Sequence, residues 1–403
     1  MSIVRVENVL AVLVLLFSMA PFALLGKTPD EIAASQTVRL GLWCVFYVVF
    51  AVLFLMRHLP LFEIMRRHKA LLTLTSLTAI SALWSLVPGT TLAGSIALFG
   101  TTLIGLYLGQ TMDAARLLRS IALSTALLAT GSALAIYLLP EYATMRGTHE
   151  GLWNGLTTHK NELGRYMMVG VVSCLAMLRL TSPLLRPLWL AAALLCGLLL
   201  LGAQSATALV LLASFMLIYG ILRLPRSLPG FSRLALLAAS LTLTAMAFIL
   251  LASNPALQDN ALTLLGRDVS LTHRTRIWTI AWEAISERPW LGYGYEAFWN
   301  SGAGSAFSLR YTSWVVPHVH NGFIEVWLGL GIPGLVLLGL TLLALLRHTV
   351  KPLERNMQVL LCLCLTTSIV LNIVEFNFIR YNSFFWLLFV YVLARLEAER
   401  STA

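Results

Sequence analysis

The chain has 403 residues, of which 58% are hydrophobic and only 11% are charged. A soluble globular domain carries about a quarter charged residues, so this composition excludes that class of protein. The formal net charge is +10. Because the basic residues concentrate in short connections between apolar runs, we interpret this charge as an orientation signal in a membrane and predict no nucleic-acid partner.

Apolar runs of membrane-spanning length recur along the whole chain. A helix needs about 20 apolar residues to cross a bilayer, so the runs predict an all-α polytopic membrane protein, with about twelve transmembrane helices in a single domain, 1–403. The first run lacks a convincing cleavage site, and we expect a retained helix rather than a signal peptide. The predicted spans are 9–25, 38–56, 70–87, 91–109, 117–139, 160–179, 187–201, 204–222, 233–252, 319–346, 356–375 and 380–396.

The connections between these runs alternate between basic and nearly neutral. Arg66, Arg67 and Lys69 share one connection, and Arg347 and Lys351 share another. Cytoplasmic connections carry an excess of Lys and Arg, which predicts cytoplasmic N- and C-termini. In this orientation the two longer polar segments, a first periplasmic excursion at 140–159 and a long loop at 253–318, lie outside the cytoplasm.

The 253–318 segment has a pattern of its own. Apolar residues recur at helical spacing at Ile277, Ile280, Ala281, Ala284 and Ile285, and they predict an amphipathic helix near the outer membrane surface, over a cavity. Tryptophans in the same segment favour that interface. The glycine-rich stretch that follows, 292–308, predicts a mobile, lid-like loop.

His318 and His320 come directly before Asn321, where the next apolar helix begins. A His-x-His pair suits a metal ion, but catalytic zinc takes three protein ligands and no third ligand lies nearby in the sequence, so we predict no metal. Imidazole titrates near neutrality and can accept a proton from a hydroxyl group. We therefore favour His320 as a general base, with interfacial histidines that have no catalytic role as the alternative.

Arginines accumulate in the same long segment. The planar guanidinium binds phosphate or pyrophosphate through two parallel hydrogen bonds. Some of the arginines are expected to pair on a solvated face instead, Arg267 with Asp268 and Arg288 with a nearby glutamate. We expect the others to bind an anionic group; the whole set is Arg267, Arg274, Arg276, Arg288 and Arg310.

A second group of cations, His159, Lys160 and Arg165, stands at the start of the predicted 160–179 span. Cations at a helix N-terminus oppose its dipole, and an arginine inside a span is costly unless it is paired or faces a wet cavity. A bound anion would resolve both conflicts, and snorkelling to the interface is the alternative. Near the end of the chain, Glu375 and Arg380 predict a structural ion pair.

Three stretches together resemble the O-antigen ligase and polymerase superfamily of the Wzy-C type. They are GRDVSLTHRTRIW at 266–278, PWLGYGYEAFW at 289–299 and HVHNGFIEVWLGLGIPG at 318–334. An upstream THKNELG resembles the His-Lys-Asn-x-x-Gly element of the exopolysaccharide-polymerase branch. One departure is His273, which stands where that branch usually has glycine before the arginine that matches Arg274.

The resemblance implies a membrane-embedded inverting glycosyltransferase in a bacterial inner membrane, with its active site facing the periplasm and with no metal or cofactor. Family members transfer a glycan from undecaprenyl pyrophosphate to a hydroxyl of lipid A core or of another lipid-linked repeat, and a flippase and a chain-length regulator are further expected partners. By motif match, His320 implies the base and Arg274 a pyrophosphate-binding arginine. We predict a substrate-binding set of Arg276, Arg310, Lys160, Arg165, His159, His318 and Asn321.

The resemblance leaves polymerase and ligase open. The THKNELG and GRDVSLTHR elements favour polymerisation of repeat units of an exopolysaccharide or O-antigen, whereas a ligase would join a finished glycan to lipid A core. A transporter would predict similar halves and charges at the membrane midplane, and the sequence shows neither. A non-catalytic export scaffold would leave the arginines and His320 individually replaceable.

Overall fold

The structure is a computed structural model that describes residues 3–19, 29–146, 150–224, 271–312, 316–349 and 353–401, with a few positions between 232 and 246. Within these ranges the regular elements are helices, beside one isolated bridge between Thr144 and Trp153. The all-α class is therefore confirmed.

The described helices fall at most of the predicted spans. A π-helical turn at Thr366–Val370 joins the fourteenth and fifteenth of them. In chain order they are α1 (Ile3–Ser18), α2 (Pro29–Met56), α3 (Leu61–Arg67), α4 (Lys69–Ile80), α5 (Pro88–Thr111), α6 (Ala114–Leu138), α7 (Pro140–Ala143), α8 (Lys160–Leu180), α9 (Arg186–Gly202), α10 (Ala206–Leu222), α11 (Leu271–Glu287), α12 (Gly302–Tyr311), α13 (Gly322–Leu346), α14 (Arg355–Leu365), α15 (Leu371–Val374) and α16 (Phe384–Ser401).

Among the described residues, 7 helical segments are long and apolar enough to cross a membrane, which confirms a polytopic membrane protein. Two more predicted spans correspond to the shorter apolar helices Lys69–Leu83 and Ala206–Leu222. The predicted 233–252 span lies largely outside the described residues, so the count of twelve stays a prediction. The 7 segments are Gln36–Met56, Pro88–Thr111, Ala114–Leu138, Lys160–Leu180, Pro183–Gly202, Gly322–Leu346 and Arg355–Val374.

The chain divides into two compact units. In the first unit α8 packs on α6 and α9, and in the second unit α13 packs on α4 and α11. The cations at the start of α8 belong to the first unit, and the histidines and arginines between 271 and 320 belong to the second. The first unit comprises Met1–Val52, Thr111–Tyr219 and Leu353–Leu363, and the second comprises Leu53–Gln110, Gly220–Pro352 and Cys364–Ala403.

Helix α11 confirms the predicted amphipathic pattern. Ile277, Ile280, Ala281, Ala284 and Ile285 are all at most 4% exposed, within a cluster of aromatic and aliphatic side chains from the same unit. Burying a large aliphatic side chain stabilises a fold by roughly 1.5–3 kcal/mol. This face therefore fixes the helix whose first turns contain the matched arginine motif.

The predicted loop over 292–308 ends in a helix, α12, from Gly302 onward, whereas its predicted mobility stays a prediction. The Ser301 side chain caps α12 by accepting a hydrogen bond from the Gly304 N–H at 3.2 Å. Tyr293 and Tyr295, which precede the cap, are at most 3% exposed. A serine directly before a helix is a favoured N-cap, and the glycine content of the stretch had hidden that signal.

Helix α13 is broken at a point that binds the 289–294 stretch. Gly331 has a φ of 66° inside the helix, and Pro333 has no N–H to donate to the Gly329 carbonyl. The Gly294 N–H donates to that carbonyl at 2.9 Å, and the Tyr293 N–H donates to the carbonyl before it at 2.9 Å. Irregular backbone within a membrane is tolerated where other protein groups satisfy its hydrogen bonds. The break in α13 is stabilised in this way by backbone hydrogen bonds from the 289–294 stretch.

Candidate active site

The segment between α12 and α13 is held from two sides at Val319. The Val319 N–H donates to Oε2 of Glu325 at 2.8 Å, and the Val319 carbonyl accepts from the Trp278 indole at 3.1 Å. Glu325 is held in turn, because its Oε1 accepts from the Trp299 indole at 2.9 Å. Both backbone groups of Val319 are therefore satisfied within the protein, which fixes the histidines on either side of it.

The two histidines face one another across a sharp turn. His320 has a φ of 53°, a left-handed conformation that residues other than glycine rarely adopt. Its N–H donates to Nδ1 of His318 at 3.3 Å, and the two ring centroids are 4.1 Å apart. Backbone strain of this kind costs on the order of 1–3 kcal/mol and clusters at functional sites.

Glu375 is the partner of His320 that sequence reasoning missed. Its Oε2 lies 3.3 Å from Nδ1 of His320, and the carboxylate side chain is 9% exposed. An ionised carboxylate only accepts hydrogen bonds, so the contact favours the tautomer with the hydrogen on Nδ1. That tautomer leaves Nε2 of His320 with a lone pair to accept a proton.

Asn372 fixes the turn that presents Glu375. Its Oδ1 accepts from the N–H groups of Asn377 and Phe378 at 2.8 and 3.0 Å. Its Nδ2 donates to two carbonyls of the π-helical turn at 3.0 and 3.1 Å. A buried amide with all of these contacts allows the turn one conformation, so the carboxylate is positioned by the fold.

A methyl group at Gly322 would break this arrangement. A Cβ at Gly322 would lie 2.1 Å from Oδ1 of Asn372, whereas Gly339, on the same helix, has open space around it. We expect Gly322→Ala to destabilise the protein by about 1–3 kcal/mol and Gly339→Ala to be neutral or to stabilise it by up to about 1 kcal/mol. Thermal unfolding followed by tryptophan fluorescence checks this, and equal midpoints for the two variants would contradict the close approach.

Asn321 begins α13, as the sequence predicted. Its Oδ1 accepts from the N–H groups of Phe323 and Ile324 at 3.0 and 3.1 Å, and its Nδ2 donates to the Ile373 carbonyl at 3.0 Å. Through these bonds Asn321 caps the N-terminus of α13, in addition to its predicted substrate contact. They also tie the start of α13 to the segment that carries Glu375.

Two of the loop arginines, Arg276 and Arg310, have exposed side chains in the second unit. The Arg310 side chain is 57% exposed, with its Nη1 3.5 Å from Oε1 of Glu283 and its guanidinium 4.8 Å from the Phe307 ring centroid. An exposed ion pair contributes about 0–1 kcal/mol, so a phosphate would displace Glu283 at small cost. Arg276 is exposed on α11, and the side chain of Arg274 lies outside the described residues.

The cations of the first unit lie in and just before the first turns of α8. Lys160 and Arg165 are 3% and 4% exposed. Nδ1 of His159 accepts a backbone N–H at the helix start at 3.2 Å, and Nζ of Lys160 donates to the Gln204 carbonyl at 3.5 Å. Nη2 of Arg165 lies 3.9 Å from Oε1 of Glu162. Both buried cations therefore have partners within the protein, and the anion that the sequence suggested at this helix start stays a prediction.

Burial raises the pKa values of two neighbouring groups, Glu296 and Tyr295, in the stretch before α12. It raises the pKa of the Glu296 carboxyl, against the opposing effect of Arg380, and Glu296 shares the wall of a small cavity with Glu325. Burial likewise raises the pKa of the Tyr295 phenol well above its usual value. Glu296 therefore keeps its proton to a higher pH than an exposed glutamate, which limits the negative charge gathered behind the histidines.

His318, His320 and Glu375 also form a group with the chemistry of metal ligands. Within the described part of the chain, one ligand atom from each of the three lies within 4.8 Å of the others. The sequence prediction of no metal rested on a missing third ligand nearby. The fold brings that ligand from a distant position.

Comparison with known proteins finds one matching family and two similar proteins, whose names refer to ligation or to polysaccharides. Residues 191–339, which include all three long motifs, match the family described as O-Antigen ligase (Wzy_C). The chain is 29% identical over 277 residues to "Exopolysaccharide production protein ExoQ" of Rhizobium meliloti, a match that covers 66% of this chain and 62% of that protein. It is 27% identical over 146 residues to "Putative polysaccharide ligase RC0486" of Rickettsia conorii, covering 35% of this chain and 36% of that protein.

The match to ExoQ spans less than two thirds of that relative's length. Both matches nevertheless agree with the motifs. The segment that matches the family contains the arginine and histidine motifs, and the longer match is to an exopolysaccharide production protein. The resemblance predicted from the motifs is confirmed as a similarity: residues 191–339 match the O-Antigen ligase family, and the chain is similar to a protein of exopolysaccharide production.

Proposed function

We propose that the protein transfers a glycan from undecaprenyl pyrophosphate to a sugar hydroxyl, and so polymerises lipid-linked repeat units of an exopolysaccharide or O-antigen. The observation that carries the proposal is the contact between Glu375 and His320, at 3.3 Å, which leaves Nε2 of an accessible imidazole available as a base. The names of the family and of both relatives, which refer to ligation or to exopolysaccharide production, support glycan transfer.

In the proposed reaction, Nε2 of His320 takes the proton from the acceptor hydroxyl while the hydroxyl oxygen attacks the anomeric carbon of the donor sugar. The bond from that carbon to the pyrophosphate oxygen breaks with inversion, and undecaprenyl pyrophosphate leaves with the bonding electron pair. The Glu375 carboxylate stabilises the imidazolium that forms. A positioned base contributes about 100- to 10,000-fold to such a step.

The leaving group gains negative charge as the glycosidic bond breaks. Arginines that bind it more tightly at that moment stabilise the transition state, and preorganised charges of this kind are usually the largest catalytic contribution. We assign this role to Arg274, and also to Arg276 and Arg310 of the second unit. With guanidinium groups in this place, the proposed reaction requires no metal or cofactor. Substrate contacts are further proposed for His318, Asn321 and the cations of the first unit, His159, Lys160 and Arg165.

Replacing Arg274 with alanine tests the pyrophosphate assignment. We expect about a tenfold loss in kcat/KM, from a weaker donor affinity and a lower turnover, since a hydrogen bond to a charged group contributes about 1.5–3 kcal/mol and several arginines share the load. Arg66→Ala, which removes an exposed arginine paired with Glu63, should keep wild-type kinetics. Unchanged donor affinity in Arg274→Ala would make this arginine structural.

The proposal also includes a location and an orientation. The protein would lie in a bacterial inner membrane with both termini in the cytoplasm and the histidine segment facing the periplasm. A flippase would supply the lipid-linked donor, and a chain-length regulator would limit the product. Labelling of single exposed cysteines by a membrane-impermeant reagent in spheroplasts checks the orientation, and labelling of a cysteine at Arg276 only after lysis would contradict it.

The activity is tested with purified protein in nanodiscs, an undecaprenyl-pyrophosphate-linked repeat unit and EDTA. A ladder of products that survives EDTA supports a metal-independent polymerase. Transfer that occurs only after lipid A core is added identifies the ligase alternative. Silence with both acceptors would refute glycan transfer and favour a transporter or an export scaffold.

A further inference from the structure

His318, His320 and Glu375 of the second unit offer three potential metal-ligand atoms, whereas a general base requires only one imidazole nitrogen. Zinc binds imidazole nitrogen and carboxylate oxygen at about 2.0–2.2 Å in tetrahedral geometry, which separates its ligand atoms by roughly 3.3–3.6 Å. The Nδ1 of His320 and the Oε2 of Glu375 are already 3.3 Å apart. The widest separation within the three ligand atoms is no more than 4.8 Å, so small side-chain rotations would close the site.

The group is also preorganised by the fold. The residue between the two histidines is held through both its N–H and its carbonyl, at 2.8 and 3.1 Å. The carboxylate is presented by the turn that Asn372 fixes. The His320 side chain remains 29% exposed, which gives an ion access from solvent. A set of two histidines and one glutamate binds zinc with an open fourth position in several enzymes.

We propose that this group is an inhibitory site for a zinc-type divalent ion. A neutral imidazole has one nitrogen lone pair to offer. When a metal takes that lone pair, on either nitrogen, the other nitrogen carries the hydrogen and the ring can no longer accept a proton. The ion also draws the Glu375 carboxylate away from its role beside the base. Metal binding stands on the geometry alone, whereas the inhibition rests on the proposed function.

The binding is measured with Zn²⁺ alone, on the full chain in nanodiscs stripped of metal, by competition with a fluorescent chelator. We expect one Zn²⁺ per chain. His318→Ala and Glu375→Gln should each weaken it about tenfold or more, since even the loss of an outer partner of a metal ligand costs roughly 10- to 100-fold. His58→Ala, which changes an exposed histidine of the same unit, should bind as the wild type does.

Zinc stoichiometry and affinity that stay the same in His318→Ala and Glu375→Gln would overturn the site. His318→Gln keeps a side chain of similar shape, and near-ultraviolet circular dichroism identifies which variants are folded. A folded His318→Gln that binds zinc as tightly as the wild type would overturn the site as well.

The inhibition is measured in the product-ladder assay with added Zn²⁺, followed by EDTA. We expect Zn²⁺ to stop the ladder over the concentration range in which it binds, EDTA to restore it, and Mg²⁺, which prefers oxygen ligands, to have no effect at the same concentration. A ladder that continues with one zinc bound per chain would overturn the inhibitory role. Zinc binding to a protein that transfers no glycan when metal-free would refute the proposed function and support the metal site.

Discussion

Replacing His320 with alanine is expected to abolish glycan transfer while leaving the affinity for the lipid-linked donor intact. In the proposed reaction the imidazole accepts the proton, and removing a general base costs roughly 100- to 10,000-fold in turnover. The proposal assigns the binding of the donor pyrophosphate to other side chains, so donor binding should not depend on this ring. The measurement is kcat from ladder formation, together with donor affinity in nanodiscs.

The strained backbone at His320 requires a second variant. Asparagine tolerates a left-handed conformation better than alanine does, and it does not act as a base near neutrality. His320→Asn should therefore fold at least as well as His320→Ala and be equally inactive. His58→Ala should retain full activity, because that histidine is exposed and stands outside the site. Normal polymer output from either His320 variant would refute the assignment.

Replacing Glu375 with glutamine should lower kcat by about 10- to 100-fold and leave the donor KM nearly unchanged. A hydrogen bond to a charged group contributes about 1.5–3 kcal/mol, and here it stabilises the imidazolium of the transition state. The glutamine NH₂ group can also donate a hydrogen bond to Nδ1. The imidazole hydrogen would then lie on Nε2, and Nε2 could not accept a proton. Kinetics at saturating donor separate the two parameters.

Rescue by the shorter acid distinguishes positioning from a general structural role. Glu375→Asp keeps the charge and should recover part of the lost kcat, whereas Glu375→Gln should not. Glu354→Gln changes an exposed glutamate and should be silent. A rise in the donor KM with unchanged kcat in Glu375→Gln would place this carboxylate in substrate binding instead.

Local patterns predicted much of this protein. The five apolar positions of α11 were predicted from helical spacing alone, because a periodic face buries itself whatever it packs against. The start of α13 near Asn321 was predicted for a similar reason, since the apolar run resumes there. Glycine content misled the prediction for α12, where the decisive residue was Ser301.

The part of the site that the sequence did not predict depends on contacts between residues far apart along the chain. The sequence paired Glu375 with Arg380, five positions away, because close neighbours are the partners that a sequence suggests, and that pair stays a prediction. Its contact with His320 spans 55 positions and depends on a turn fixed by a buried amide, which periodicity does not reveal. The same distance hid the third potential metal ligand. The side chain of Arg274 lies outside the described residues, so its role stays a prediction.

The distance between His320 and Glu375 along the chain has a consequence for biosynthesis. Domains generally form from the N-terminus as the ribosome proceeds, and the bonds from 293–294 to the break in α13 close within a short stretch of chain. The histidine segment can therefore assemble before Glu375 has been synthesised. A nascent or truncated chain that ends before this residue would therefore have the histidine segment without the carboxylate that contacts His320.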